Sequence, residues 1–109
     1  MDPLANNVDV LDQIINTMDN MEDISLIDPV IFDLLKSDDY KARFVGEYVQ
    51  TKIRYNKLHK MLIKYEAGTL DFEPTCDISI LDDQAYYMGN YLKQLEIRAE
   101  VEHIRLPKI

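Results

Sequence analysis

The sequence predicts an all-α fold: a long antiparallel helical hairpin preceded by two shorter N-terminal helices, with apolar surface that calls for an oligomer. Two runs carry the prediction. Phe44, Tyr48, Tyr55, Leu58, Leu62 and Tyr65 recur at helical spacing with only Thr51 off-type, and Leu81, Ala85, Met88, Leu92, Leu95 and Ala99 repeat the pattern. A period near 3.5 residues sets all of these side chains on one face of a helix, as in a coiled-coil seam. Between the runs lies a link of roughly ten residues with the turn formers Gly68 and Pro74, the length that joins antiparallel helices.

Each element follows from local signals. Asn7 suits an N-cap before Val8, Leu11, Ile14, Ile15 and Met18, an amphipathic run with Asp9 and Asp12 near the positive end of the helix dipole. The period is lost after Asn20, and Ile24, Leu26 and Ile27 read as a connector that covers the core. Asp28-Pro29 reads as a cap followed by a proline with the φ of a first helical residue, starting a short helix through Val30, Ile31, Leu34 and Leu35. Ser37 supplies a fresh cap, with Asp38 and Asp39 as first-turn acids, for the next helix, which runs without proline to Glu66, about 27 residues or ~40 Å. Its lone interior glycine, Gly46, marks close packing by a neighbour. Val45, Val49 and Ile53 form a second apolar stripe, so this helix needs two packing partners.

Gly68 fits a helix C-cap, and Leu70 and Phe72 alternate with Asp71 and Glu73, an extended stretch that folds back over the hairpin end. The last helix begins at Asp77 or Ser79 and reaches about His103, with Ile97, Val101 and Ile104 as a late second stripe. The chain divides into an acidic helical arm, residues 1–39, and the hairpin, residues 40–106.

A chain of 109 residues, 47% hydrophobic and 29% charged, is sized for one modest core rather than for two. The absence of a long apolar run and of a basic leader predicts no membrane association. The lone Cys76 precludes an intrachain disulfide and points to a reducing, cytoplasmic setting. Charge is distributed unevenly: residues 1–39 carry −9, residues 40–66 carry +5 and residues 67–109 carry −4. An acidic arm beside a basic helix either neutralises it or competes with a polyanion.

Catalytic patterns are lacking. His59 and His103 lie on different predicted helices, and no zinc-protease, paired-cysteine, nucleophile-elbow or phosphate-loop motif occurs. Asp38-Asp39 and Asp82-Asp83 are adjacent pairs that diverge by about 100° on a helix, so they read as helix-start charges rather than metal ligands. Cys76 reads as a buried small hydrophobe. No enzyme, cofactor or metal is expected.

The run Glu47-Tyr48, Arg54-Tyr55, Lys57-Leu58, Met61-Leu62, then Lys64-Tyr65-Glu66-Ala67-Gly68-Thr69-Leu70-Asp71-Phe72 with Pro74 and Cys76, resembles a family of small tailed-phage proteins of unknown function related to a crAss-like phage gene product. The likeness extends through Leu81, Gln84, Met88, Tyr91-Leu92, Leu95-Glu96, Arg98-Ala99 and Glu102, and covers roughly residues 44–104. A proline often follows the cysteine in that pattern; here the position is Asp77. The resemblance implies a phage source, a helical hairpin and the cytoplasm of an infected bacterium, and it brings no activity with it.

Three readings follow. The first is a phage accessory protein that binds and inhibits a host defence component, such as a CRISPR effector or another basic, nucleic-acid-binding protein. Its contact would be the acidic arm, through Asp9, Asp12, Asp19, Glu22 and Asp23. The second is an oligomeric sponge for a nucleotide immune messenger, held on the basic helix by Arg54, Tyr55, Lys57, Lys60 and Lys64. The third is a structural or assembly accessory. A host protein and further copies of itself are the expected partners, a nucleotide ligand is the alternative, and direct binding to DNA is not expected.

Overall fold

In the computed structural model the described residues are 8–109, with side chains from Val10 onward, and they form four α-helices and no strand. The all-α class is as the sequence predicts. The helices are α1 (Val8–Asp19), α2 (Asp28–Leu35), α3 (Tyr40–Ala67) and α4 (Ile78–Glu102), with a 3-10 turn at Ile24–Ile27 before α2. Asn7, expected to cap α1, and the side chain of Asp9 lie outside the described residues.

The connector is more ordered than its sequence pattern implies. Asp23 caps the 3-10 turn, its carboxylate accepting from the backbone N–H of Ser25 at 3.0 Å and from the hydroxyl at 2.6 Å. The turn runs directly into α2, so Asp28 is the first helical residue and not the cap; the capping position falls on Ile27, which is already helical in backbone and makes no side-chain cap bond. Pro29 stands in the first turn, as its fixed φ favours. α3 is capped by Asp39 and not by Ser37: the Asp39 carboxylate accepts from the N–H of Lys41, while the Ser37 hydroxyl, two residues too early, accepts from the N–H of Asp39. Gly68 closes α3 with φ 74, the left-handed geometry that glycine adopts without strain. Asp77 caps α4, bonding the N–H and the hydroxyl of Ser79, and His103 ends that helix in the left-handed region at φ 58.

With 28 residues, α3 is about 42 Å long and sets the long axis of the molecule, whose extents are 47 × 29 × 21 Å. α4 pairs with it in the opposite direction. The Tyr40 hydroxyl donates to Glu102 at 3.2 Å and the Tyr48 hydroxyl to Glu96 at 2.8 Å, while the Tyr91 hydroxyl donates to Glu47 at 3.2 Å. Further along, the Tyr55 ring lies against Gly89. Burial and the Glu96 carboxylate push the Tyr48 phenol well above its ordinary range, so it remains a neutral donor.

One apolar core holds the four helices. α1 contributes Leu11, Ile15 and Met18; the turn and α2 contribute Ile27, Ile31 and Leu34. α3 adds Ala42, Phe44, Val45, Tyr48 and Val49, and α4 with the tail adds Leu92, Leu95, Ala99 and Ile104. The stripe Val45–Val49–Ile53 thus finds its second partner in the N-terminal helices. α2 packs tightly against Gly46, where a Cβ would sit 2.9 Å from Leu34 Cβ and 3.1 Å from Leu35 Cδ2. The C-terminal tail fastens α1: Arg105 donates to Asn16 at 2.5 Å and pairs with Asp19 and Asp12, and the N–H of Lys108 donates to Asp19 at 2.6 Å. Burial stops abruptly, and no residue from Gln50 to Tyr91 is buried.

Two predictions follow from this packing. Gly46→Ala places a methyl group into the α2 backbone-proximal contact, and overpacking of this kind costs about 1–3 kcal/mol; urea unfolding of the two proteins checks it, and an unchanged midpoint would contradict the close contact. The second concerns the α4 cap. Its bonds from Ser79, side chain first and backbone second, hold the Asp77 carboxyl below its ordinary range. A carboxyl depressed in the folded state stabilises above its unfolded pKa, and that stability disappears as pH falls through the folded value, below about pH 4. Asp77→Asn keeps an acceptor for Ser79 without a charge, so its thermal midpoint should fall less between neutral pH and pH 3 than that of the parent protein.

Candidate anion-binding groove

α3 carries a basic strip along one side. Arg54, Lys57, Lys60 and Lys64 follow each other at three, three and four residues, spacings that keep side chains on adjoining parts of one helix face. Gly46, Ile53 and Lys60 are seven apart, so the face that α2 covers continues directly into this strip. The residue type changes from apolar to cationic where α2 no longer reaches. None of the four forms an ion pair with a described residue, in contrast to Arg98 and Arg105.

Two concavities lie along the strip. The first, of about 520 Å³, runs along α2, between Asp28, Phe32 and Leu35 on one side and Ile53, Arg54 and Lys57 on the other. The second, of about 340 Å³, is made by the link folding back on α3: Leu70, Asp71 and Phe72 face Lys57, Lys60, Met61 and Lys64. Lys57 lines both. Each concavity has a solvent-exposed phenylalanine, Phe32 at 63% and Phe72 at 55%, so a flat ring has a face available at either end of the cationic strip. Lys36 Nζ lies 4.9 Å from the Phe32 ring centroid and adds a cation near that end. Asp71 is the one acid on the second concavity.

Of the residues that the sequence assigns to a basic-helix site, the fold brings Arg54, Lys57, Lys60 and Lys64 together and sets Tyr55 apart. Tyr55 is half-buried in the seam toward α4, its ring stacked on His59 at 5.8 Å and touching Gly89. The aromatic partners of the strip are therefore Phe32 and Phe72. For Phe72 a signal existed, the alternation of Leu70 and Phe72 with acids; for Phe32, set in a short amphipathic helix, there was none.

The acidic residues of the arm are dispersed. Asp12 and Asp19 are turned toward Arg105, and Glu22 and Asp23 stand exposed in the connector, Asp23 occupied as a cap. Cys76 is exposed and not buried: the bend that prepares the α4 cap turns it outward, and Leu70, Pro74 and Ile78 are the partly covered residues there. Among the described residues no cluster of three His, Cys, Asp or Glu side chains is placed to hold a metal ion, and no helix is long and apolar enough to cross a membrane. His59 is exposed and stacks on Tyr55 of the same helix, and His103 ends α4.

Neither the curated proteins nor the solved structures provide a match to the chain. Residues 38–101 do match a family of proteins, a span that takes in all of α3, the link and α4 to its penultimate residue. On that match over more than half of its length, the chain belongs to the Sequestin family.

Proposed function

We propose that the protein is a non-catalytic sponge that sequesters a nucleotide-like anion on the basic side of α3. The observation that carries this reading is the set of four cations free of ion pairs with the described residues, Arg54, Lys57, Lys60 and Lys64, lying between two exposed phenylalanines. Phosphates are attracted by lysine and arginine, and a base has π-faces that stack on exposed rings. Membership of the Sequestin family is compatible with a sequestering role. In this reading α3 and α4 act as a helical hairpin, copies assemble into a homo-oligomer, and the protein works in the cytoplasm of a phage-infected bacterium, as the resemblance implies.

Inhibition of a basic host protein by the acidic arm is the second reading. Exposure of Glu22 and Asp23 favours it; the engagement of Asp12 and Asp19 with Arg105 leaves fewer charges for a partner.

The two are separated by charge-neutralised variants. Replacing Lys57, Lys60 and Lys64 by Gln should weaken capture of cyclic mono- and dinucleotides in equilibrium dialysis about 100-fold or more, since a hydrogen bond to a charged group contributes roughly 1.5–3 kcal/mol. Replacing Asp12, Asp19, Glu22 and Asp23 by Asn or Gln should leave capture unchanged. A parent protein that retains none of these nucleotides, or that loses protection of the phage against host defence only in the arm variant, refutes the sponge and favours the inhibitor.

A further inference from the structure

A further concavity lies outside the groove, where the last residue of α2 meets the start of α3 and the later turns of α4. It encloses about 390 Å³ and is lined by Tyr40, Arg43, Phe44 and Glu47 of α3 and by Tyr91 and Arg98 of α4. Leu35 is the one lining residue that it shares with the groove.

Both arginines of this cleft are anchored on one side and keep donors on the other. Arg98 Nε donates to Glu102 at 2.9 Å, and its guanidinium lies 4.8 Å over the Phe44 ring, which fixes its plane. Arg43 Nη1 donates to the Ser37 carbonyl at 2.8 Å. Glu47 stands four residues on, yet Arg43 forms no ion pair with it or with another described residue. An arginine placed before its acid is the poorer order on a helix, and Arg43 reaches back toward the start of α3 instead.

The carboxylates nearby are already engaged. Glu102 receives Arg98 on one oxygen and the Tyr40 hydroxyl on the other, and Glu47 receives the Tyr91 hydroxyl. Desolvation and the Glu47 charge hold the Tyr91 phenol above its ordinary value, so this donor stays protonated. The lining thus sets two guanidiniums against one acid, with the Tyr40 and Tyr91 rings 48% and 45% exposed beside them.

A guanidinium presents its N–H donors as a planar fork that matches the oxygens of a phosphate or a carboxylate. We propose that the Arg43–Arg98 cleft is a second binding site, separate from the groove, that takes the phosphate or carboxylate group of a small ligand. Both forks are held by protein contacts before a ligand arrives, so little side-chain freedom is lost on binding.

Titration of the full chain with inorganic phosphate, and separately with acetate, tests the site through arginine side-chain and backbone NMR signals, with chloride at equal ionic strength as the reference. The variant with Lys57, Lys60 and Lys64 replaced by Gln is titrated alongside, so the result stands whether or not the groove captures nucleotides. Saturable shifts at Arg43 and Arg98 are expected in both proteins. Saturation by phosphate alone identifies a phosphate ligand, and saturation by acetate a carboxylate one. Arg43→Gln, with its helical circular dichroism intact, should weaken binding about ten-fold or more. Arg43→Lys, which keeps the charge but not the fork, should not restore it. Shifts at Arg43 and Arg98 that chloride reproduces, that vanish with the groove lysines, or that saturate equally in Arg43→Gln overturn the proposal.

Discussion

The structure depends on a mismatch of lengths. A 28-residue helix can be sheltered on two sides only over the stretch that its neighbours reach, and α1 and α2 together are 20 residues with a turn between them. α2 lies along α3 from Gly46 to the region of Ile53 and α1 closes the core beside the start of α3 and the C-terminal tail, and beyond that α3 has only α4 and the link. Burial of apolar area supplies most of the favourable free energy of folding, so the covered half holds the molecule together. The basic strip lies in the uncovered half, where no residue from Gln50 to Tyr91 is buried.

Within the covered half, polar contacts fix the register that apolar packing leaves loose. Tyr48 places its hydroxyl on Glu96 from a buried position, and Arg98 lies 4.8 Å over the Phe44 ring, so the α3–α4 contact has a defined offset rather than a sliding seam. The Arg98 hydrogen bond also holds the Glu102 carboxyl below its ordinary range, keeping it ionised as an acceptor for Tyr40. At the far side Arg105 draws on Asp12, Asn16 and Asp19 together, which uses acidic charge of the arm inside the molecule. The electrostatic asymmetry seen in the sequence is thus partly internal: the arm's charge is met by the tail, whereas the strip on α3 has no such counterpart among the described residues.

Much of this was legible in the sequence because it rests on periodicity and on local backbone chemistry. The seams of α3 and α4, the Gly68 end of α3 and the start of α4 at one of its two candidate caps, Asp77, are set by local rules, and Gly46 signalled its close neighbour by residue type. Other features depend on where elements stop covering one another, which no local pattern encodes. Tyr55 reads as interleaved with lysines along the chain, yet a rotation of about 100° per residue separates it from Lys57 and turns it toward α4. Phe32 becomes part of the groove only because α2 packs alongside Ile53 and Arg54. Asp28 has the residue type of a cap, but the 3-10 turn before it had already begun the helix. Cys76 is apolar enough to be buried, and the bend at the α4 cap turns it outward instead.

In the proposed function the uncovered side of α3, and not the acidic arm, is the binding surface. Backbone chemical-shift mapping during titration with a cyclic dinucleotide tests it residue by residue. Perturbations should be concentrated at Arg54–Lys64, at Leu70–Phe72 and near Phe32. Perturbations confined to Asp12–Asp23, or none at any site at millimolar ligand, would contradict it.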